Sequence, residues 1–528
     1  MRQERTVQAS IFDLFAQHEI GCELKKASTW LDEHPTLLGL VAADLRRDGV
    51  QETGRHGLPA EAVLRCALLK QSRQLSSEEL AFHLEDSASF RAFARLPWAW
   101  SPKKSVLHKT ISAIRAETWE AINRMLLTSA RQEKIEDGSV VRLDSTVTAA
   151  LMHEPSDSSL LWDAVRVMVR LLKQAQAWMG DIARAWCDHR RAAKRRWQAI
   201  EFTRGRPKRV PLYRELVKIA RTTLAYLREA AARLSGSTKP TVALWRATVG
   251  HYEPLIERVI AQSERRVLCG EAVPARDKLV SLFETHADII VKGSRDVQYG
   301  HKLNLTTGRS GLILDLVIEA GNPADSDRLM PMLERHISAY GAAPRQAAAD
   351  GGFASRTNLD RAKACGVRDM AFHKKCGLSI EDMVRSRWVY RKLRNFRAGI
   401  EAGNPADSDR LLPMLERHIA WYGGAPRQAT ADGGFASRDN LSRAKACGVR
   451  DMAFHKKSGL SIEDMVRSRW VYRKLRNFRA GIEAGISCLK RAYGLARCTW
   501  RGLDHFKAYV WSSVVAYNLV VFVRLRPS

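Results

Sequence analysis

Three stretches of this 528-residue chain place acids where strand-like and helix-like segments meet their ends. Asp144 is the one acid of the β-rich run "SVVRLDSTVTAA" (139–150). Asp350 closes the strand-like "RQAAAD", just before a Gly-Gly turn. Glu401 and Glu483 each stand in a copy of "FRAGIEAG", a helix-forming stretch that occurs twice. Two strand-end aspartates and a glutamate on a following helix can converge at one edge of a sheet. Clustered carboxylates are hard oxygen ligands of the kind Mg²⁺ and Mn²⁺ prefer. Two such ions activate a water or a 3′-hydroxyl and stabilise the leaving oxygen in phosphodiester chemistry. Without a cation, acids so crowded repel one another. A single Asp after a strand is more often a turn former, so it is the set that points to chemistry.

The elements that must position these acids follow from periodicity. Residues 1–135 read as helical: "LPAEAVLRCALLKQ" has apolar residues at helical spacing, and Ser76 and Glu79 form a capping box before "ELAFHLED". Short helices with basic faces suit a helix-turn-helix-like DNA reader as well as a plain bundle. Residues 155–285 are almost wholly helical in pattern and carry the densest basic clusters, "HRRAAKRRW" (189–197) and "RGRPKR" (204–209). Arg195, Arg196, Arg204, Arg206 and Lys208 are the phosphate-contacting candidates there. An extended Arg-Gly-Arg-Pro fits an A·T minor groove; a solvated inter-helix loop is the other reading. From 288 the pattern turns to short strands, "DIIVKG", "YGHKLNLTT" and "LILDLVIEAG", then strand and helix alternate. A long helix is expected over "SIEDMVRSRWVYRKLRNFRAGIEAG". The whole describes a mixed α/β fold, a mixed sheet with flanking helices.

Lys and Arg number 86 against 57 Asp and Glu, a formal charge of +29 with pI near 10.1. Such an excess favours a polyanionic partner, nucleic acid above all. The nine cysteines include no CxxC pair and no zinc spacing. Scattered thiols point to a reducing, cytoplasmic compartment. "YVWSSVVAYNLVVFV" is the most apolar run. It is too short to span a bilayer and reads as a buried helix, so no membrane partner is expected.

Residues 318–399 align without a gap to residues 400–481, and only eight positions differ. One tandem copy does not make a solenoid, which needs three or more units. The shared "IEAG" at both junctions marks a crossover between related genes out of register. Removal of one 82-residue unit leaves 446 residues, taken as the ancestral length.

"RLDSTVT", "YGHKLNL", "LVIEAGNPADS", "AADGGFAS" and "RAGIEAGISCLKRAYG", in this order, resemble the DDE transposases of bacterial insertion sequences. The resemblance covers residues 50–150 and 288–525 once one repeat is discounted. It implies an RNase H-like catalytic core at 136–154 and 286–528. It also implies a helical N-terminal DNA-binding domain at 1–135 and a basic helical insertion at 155–285. Asp144 would be the first acid, Asp350 or its copy Asp432 the second, and a glutamate the third, holding two Mg²⁺ or Mn²⁺ ions. Arg479, Glu483 and Lys490 match the group's Arg-x3-Glu-x6-Lys helical signature, with Arg476 where the group often has Tyr. Arg479 and Lys490 would contact DNA phosphate. The partners implied are the element's terminal inverted repeats and target DNA, with a homodimer holding both ends, in the cytoplasm on the nucleoid.

The two glutamates are not equivalent. Seven residues after Glu483 comes Lys490; seven after Glu401 comes Ser408, beyond "GNP", which breaks a helix. Glu483 is therefore the candidate. Between the aspartates the residues decide weakly for Asp350, which keeps its strand contiguous with those upstream. A DNA transposase is the leading expectation. A catalytically inactive remnant that only binds DNA is the rival.

Overall fold

The computed structural model describes residues 19–46, 57–97, 100–179, 186–292, 296–372, 377–390, 425–426, 428–431, 438–454, 462–465 and 485–526, with Leu393 and Leu415. Asp432, Glu401, Arg479 and Glu483 lie outside the described residues.

The N-terminal part is helical: α1 (Glu19–Glu33), α2 (Thr36–Arg46), α3 (Ala60–Ser72), α4 (Ser77–Asp86), α5 (Ala88–Ala94), α6 (Lys104–Ile111) and α7 (Ala116–Gln132). The capping box forms. Glu79 N–H donates to Ser76 Oγ (3.1 Å), and Ser76 N–H donates to Glu79 Oε2 (2.7 Å), satisfying two donors that a helix start leaves open. Inside the bundle Arg65, 1 % exposed, is held by Glu61 and by Asp32 (2.9 Å) and lies against the Phe93 ring. Burial lowers its pKa to about 10, which leaves it charged at neutral pH.

The sheet begins with β1 (Val140–Ala149). The insertion follows as α8 (Asp157–Met179), α9 (Arg190–Phe202), α10 (Arg206–Arg233) and α11 (Pro240–Ser263), with an apolar core of its own from Leu160 to Leu282. "RGRP" is not extended. Gly205 caps α10 at φ 91°, and Arg206 and Pro207 form its first turn, where proline's fixed φ suits a helix and its missing N–H costs nothing.

The chain then returns as β2 (Asp288–Lys292), β3 (Asp296–Gly308) and β4 (Ile313–Ile318), followed by α12 (Leu329–Tyr340), β5 (Gln346–Ala349), α13 (Arg356–Ala364) and β6 (Asp369–Phe372). β1 pairs antiparallel with β3 and parallel with β5, and β5 pairs parallel with β6. β2 and β4 both pair antiparallel with β3. The sheet has six strands in the order β2-β3-β1-β5-β6, with β4 also on β3; it is antiparallel as far as β1 and parallel from β1 through β5 to β6. All of these strands precede residue 373, so the sheet uses the first repeat unit. The second unit supplies β7 (Gln428–Ala431), α15 (Arg438–Ala446) and β8 (Asp451–Phe454), and β7 and β8 form a separate two-stranded sheet.

The long helix expected after β6 is interrupted. α14 (Ile380–Met383) ends at Val384, whose backbone is extended. The Asp369 carboxylate is fully buried and takes hydrogen bonds from Gln346 Nε2 (3.0 Å) and the Arg385 backbone N–H (3.3 Å). An unpaired buried carboxylate is costly; the Arg385 guanidinium also pairs with it at 3.3 Å, and these contacts accompany the departure from the helical path. α16 (Ile462–Met465) repeats the short helix in the second unit.

α17 (Gly485–Ala492) leads to α18 (Leu503–Leu525), which is longer than the apolar run suggests. By length and composition α18 could cross a membrane, yet 78 % of its most apolar window is buried in the protein. It packs on α7, α3 and α1, and one continuous apolar core joins these helices to the sheet. Its buried Asn518 donates to Asn123 Oδ1 (2.7 Å) and accepts from Ile313 N–H (2.9 Å), tying α18 to α7 and β4.

Candidate active site

Asp144 is the fifth residue of ten-residue β1, mid-strand rather than at its end, and lies opposite Leu305 of β3. Leu143 is in register with Ala349 of the parallel strand β5, and Asp350 follows Ala349. Two acids are thus placed side by side, each one residue past a paired position on neighbouring strands. Both are half-buried. Asp144 Oδ1 accepts from Ser145 N–H (2.8 Å) and Asp350 Oδ1 from Gly351 N–H (2.6 Å). In this way Asp350 caps the tight turn Gly351–Phe353.

That turn meets a second one. A Cβ on Gly352 would stand 2.8 Å from Asp325 Oδ2, so the second glycine of "ADGGF" is what lets the "NPADS" turn approach. Asn358 clamps the pair, donating to Ser326 O (2.6 Å) and Phe353 O (3.0 Å). Lys302 of β3 closes the cluster. It is 5 % exposed, pairs with Asp325 (2.6 Å) and donates to Pro323 O (2.6 Å). Glu319, just past β4, accepts from Asn304 Nδ2 (2.7 Å) and stands 3.5 Å from Arg328. The motifs "YGHKLNL", "VIEAGNPADS" and "ADGGF" therefore gather at the carboxyl ends of β1, β4 and β5, the edge where parallel strands present ligand sites.

Lys302, Asp325, Asn304 and Glu319 are site neighbours that sequence reasoning left without a role. Their signal was present in the quoted motifs, but their partners stand about 15–23 residues away in sequence, beyond any local pattern. Beside them, His301 Nε2 and His286 Nδ1 lie 2.8 Å apart in stacked rings, and His286 meets Glu284 (3.0 Å). Burial and the neighbouring His286 lower the His301 pKa.

The carboxyl end of β1 is also where the C-terminal segment docks. Thr148 Oγ1 donates to Leu495 O (2.7 Å), and Cys498 N–H donates to Ala149 O (2.8 Å). Lys490 is half-buried on α17, next to the fully buried Leu489. Arg195 is exposed on α9. Arg196 is half-buried and ion-paired with Glu215. Arg204, Arg206 and Lys208 are exposed at the α9–α10 turn. These five belong to the insertion, not to the sheet edge. Among the described residues no three His, Cys, Asp or Glu side chains converge as a metal-ligand group. Asp144 and Asp350 offer the hard carboxylate oxygens that a divalent cation takes.

Two family models match the chain. "Transposase domain (DUF772)" covers residues 13–117, and "Transposase DDE domain" covers residues 393–519. The first spans the N-terminal helices. The second runs from the end of the first repeat unit, through the second unit, to α18, and so includes Glu401, Asp432, Glu483 and Lys490. No curated protein and no solved structure matches.

Proposed function

We propose that this chain, which its two domain matches mark as a DDE-type transposase, cuts DNA at the ends of its own insertion element and joins them to target DNA. The observation that carries the reading is the pairing of Leu143 with Ala349, which sets Asp144 beside Asp350 on parallel neighbours. The strand order, antiparallel as far as β1 and parallel through β5 and β6, supports an RNase H-like core. The excess of 29 positive charges supports DNA as the partner.

Asp144, Asp350 and Glu483 would hold two Mg²⁺ or Mn²⁺ ions, with Asp432 the alternative second acid. When bound, such ions supply Lewis-acid stabilisation of the attacking and leaving oxygens. The chain's own residues fix the geometry. The β1–β5 ladder sets the separation of Asp144 and Asp350, and Gly351 N–H orients the second carboxylate. The Lys302–Asp325 pair and Asn358 brace the turn that carries it. Lys490 and Arg479 would contact DNA phosphate. Arg195, Arg204, Arg206 and Lys208 would add contacts along the insertion that position the duplex without reading its sequence. Arg196 would do so only by leaving Glu215. Two ends held for one reaction imply a homodimer on DNA, acting in the cytoplasm on the nucleoid.

Asp144→Ala tests this. Cleavage of element-end DNA with Mg²⁺ falls by at least about 10³-fold, the scale of losing a principal electrostatic group, while end binding holds. Full cleavage by the mutant would leave Asp144 a strand residue with no part in the chemistry.

A second reading, a remnant that binds ends without cutting them, draws on the separate β7–β8 sheet, a surplus the fold has no place for. It predicts no nicking by the full chain under conditions where a chain lacking residues 400–481 nicks.

A further inference from the structure

We propose that the cleft between α8 and α9 is a binding site for an unpaired DNA strand, distinct from the acids on the sheet and from the basic turn at 204–208. The cleft is open and measures about 1030 Å³. Arg166, Arg170 and Lys173 project from α8 at spacings of four and three, one helical face. Arg190, Arg191 and Lys194 line it from the first turns of α9, with Arg190 and Lys194 four apart on one face. Among the described residues six cations thus line one cavity against a single carboxylate, Asp188.

That carboxylate is already shared, by Arg190 (2.7 Å) and Lys173 (3.3 Å). The hydrogen bonds from Arg190 hold its pKa down to about 2. Arg166 has Asp163 (2.8 Å). Among the described residues no carboxylate is recorded against Arg170, Arg191 or Lys194. Two helix faces of like charge, turned toward each other, repel unless a polyanion lies between them.

The walls say which polyanion. Trp162 and Phe283 line the same cavity. Phe283 is 39 % exposed, and Trp162 is stacked on Trp197 (6.4 Å, 8° between planes) with Arg166 over its ring at 5.9 Å. Trp162 is thus already covered and braces the wall, while Phe283 offers a face on which a base stacks. Cations that follow a backbone beside such a face are the apparatus of single-strand binding. A cavity at the upper limit of small-ligand sites admits a few unpaired nucleotides and not the cross-section of a duplex. The inference rests on DNA being the partner. It adds a place for the strand that end cutting sets free.

The test uses the full chain and fluorescence anisotropy on oligothymidylate of about 15 nucleotides, within the span of one such site. Arg170→Ala/Arg191→Ala/Lys194→Ala weakens binding at least about tenfold and lowers the slope of log K against log salt by about 2, three phosphates at about 0.7 each. Phe283→Ala weakens it about tenfold, a base stack's worth, with the slope unchanged. Neither change alters binding to intact element-end duplex. A matched variant outside the cleft, Arg214→Ala/Lys218→Ala/Lys239→Ala, loses less than the cleft triple. Equal losses for the two triples, or an equal loss on a blunt duplex, would overturn the proposal. So would full oligothymidylate affinity in the Phe283 variant, which also decides the matter if the triple variant misfolds. Failure of the unaltered chain to bind element ends would instead strike the function proposed above, and leave the cleft to be judged on oligothymidylate.

Discussion

The two repeat units share 74 of their 82 residues, yet one builds the central sheet and the other stands beside it. Their local structures agree. Gln346 pairs with Asp369 in the first unit and Gln428 with Asp451 in the second, in the same parallel register. The helices between the strands cover equivalent residues, Arg356–Ala364 and Arg438–Ala446. What differs is the neighbour: β5 lies on β1, and β7 pairs only with β8 among the described strands. Local sequence therefore specifies the strand–helix–strand cassette, and β1, with one open edge, accepts one cassette. A substitution at the seam favours the first unit. Ala348 is fully buried opposite Arg142 of β1 and Ala371 of β6, and its counterpart is Thr430. Extra atoms in a filled space cost about 1–3 kcal/mol.

The sharpest way to break this comparison is to remove each second acid in turn. Asp350→Ala is expected to lower cleavage of element-end DNA by at least about a hundredfold, and Asp432→Ala to leave it within about twofold. The opposite result would place the second unit in the working sheet.

Stability separates the units by a smaller margin. Ala348→Thr should lower the unfolding free energy by about 1–3 kcal/mol, read as an earlier denaturation midpoint at unchanged slope. Thr430→Ala should change it by no more than about 0.5 kcal/mol. Equal costs would mean that the seam does not discriminate.

The smallest effect concerns pH. His336, on α12 of the first unit, is buried, stacks on Tyr340 and has its Nε2 3.0 Å from Gly138 O. Burial lowers its pKa. A histidine with a lowered folded pKa binds its proton more readily when unfolded. Its stabilisation is therefore complete above about pH 6.5, the unfolded value, and is lost as pH falls below that. The melting temperature should drop on acidification from neutral pH, and His336→Gln should flatten that drop, while the same change at His418, its counterpart in the second unit, should have no effect. A drop of the same size in both variants would assign it elsewhere.

Much of this was legible in the chain itself. The strands bearing Asp144 and Asp350, the Ser76 capping box and the helical character of residues 155–285 each follow from periodicity or a local hydrogen bond. The misreadings have physical causes. Arg206 and Pro207 begin a helix because α10 continues beyond them, which the basic hexapeptide alone does not convey. The helix after β6 breaks at Val384, where the Arg385 backbone and guanidinium turn to Asp369, a partner sixteen residues back. The Lys302–Asp325 brace and the choice between cassettes depend on partners distant in sequence, and two near-identical segments carry almost no local information that could separate them.

The placement of α18 sets an order in time. The helices of the N-terminal part leave the ribosome long before the side chains that complete their core, such as Phe522 against Trp30 (ring centroids 6.3 Å apart). At about 5–20 residues per second, roughly half a minute to two minutes separate the synthesis of the two. Until then the early helices have no finished surface to offer. A chain cut short before Leu503 would never acquire one, so in this protein α18 licenses the work of helices made long before it.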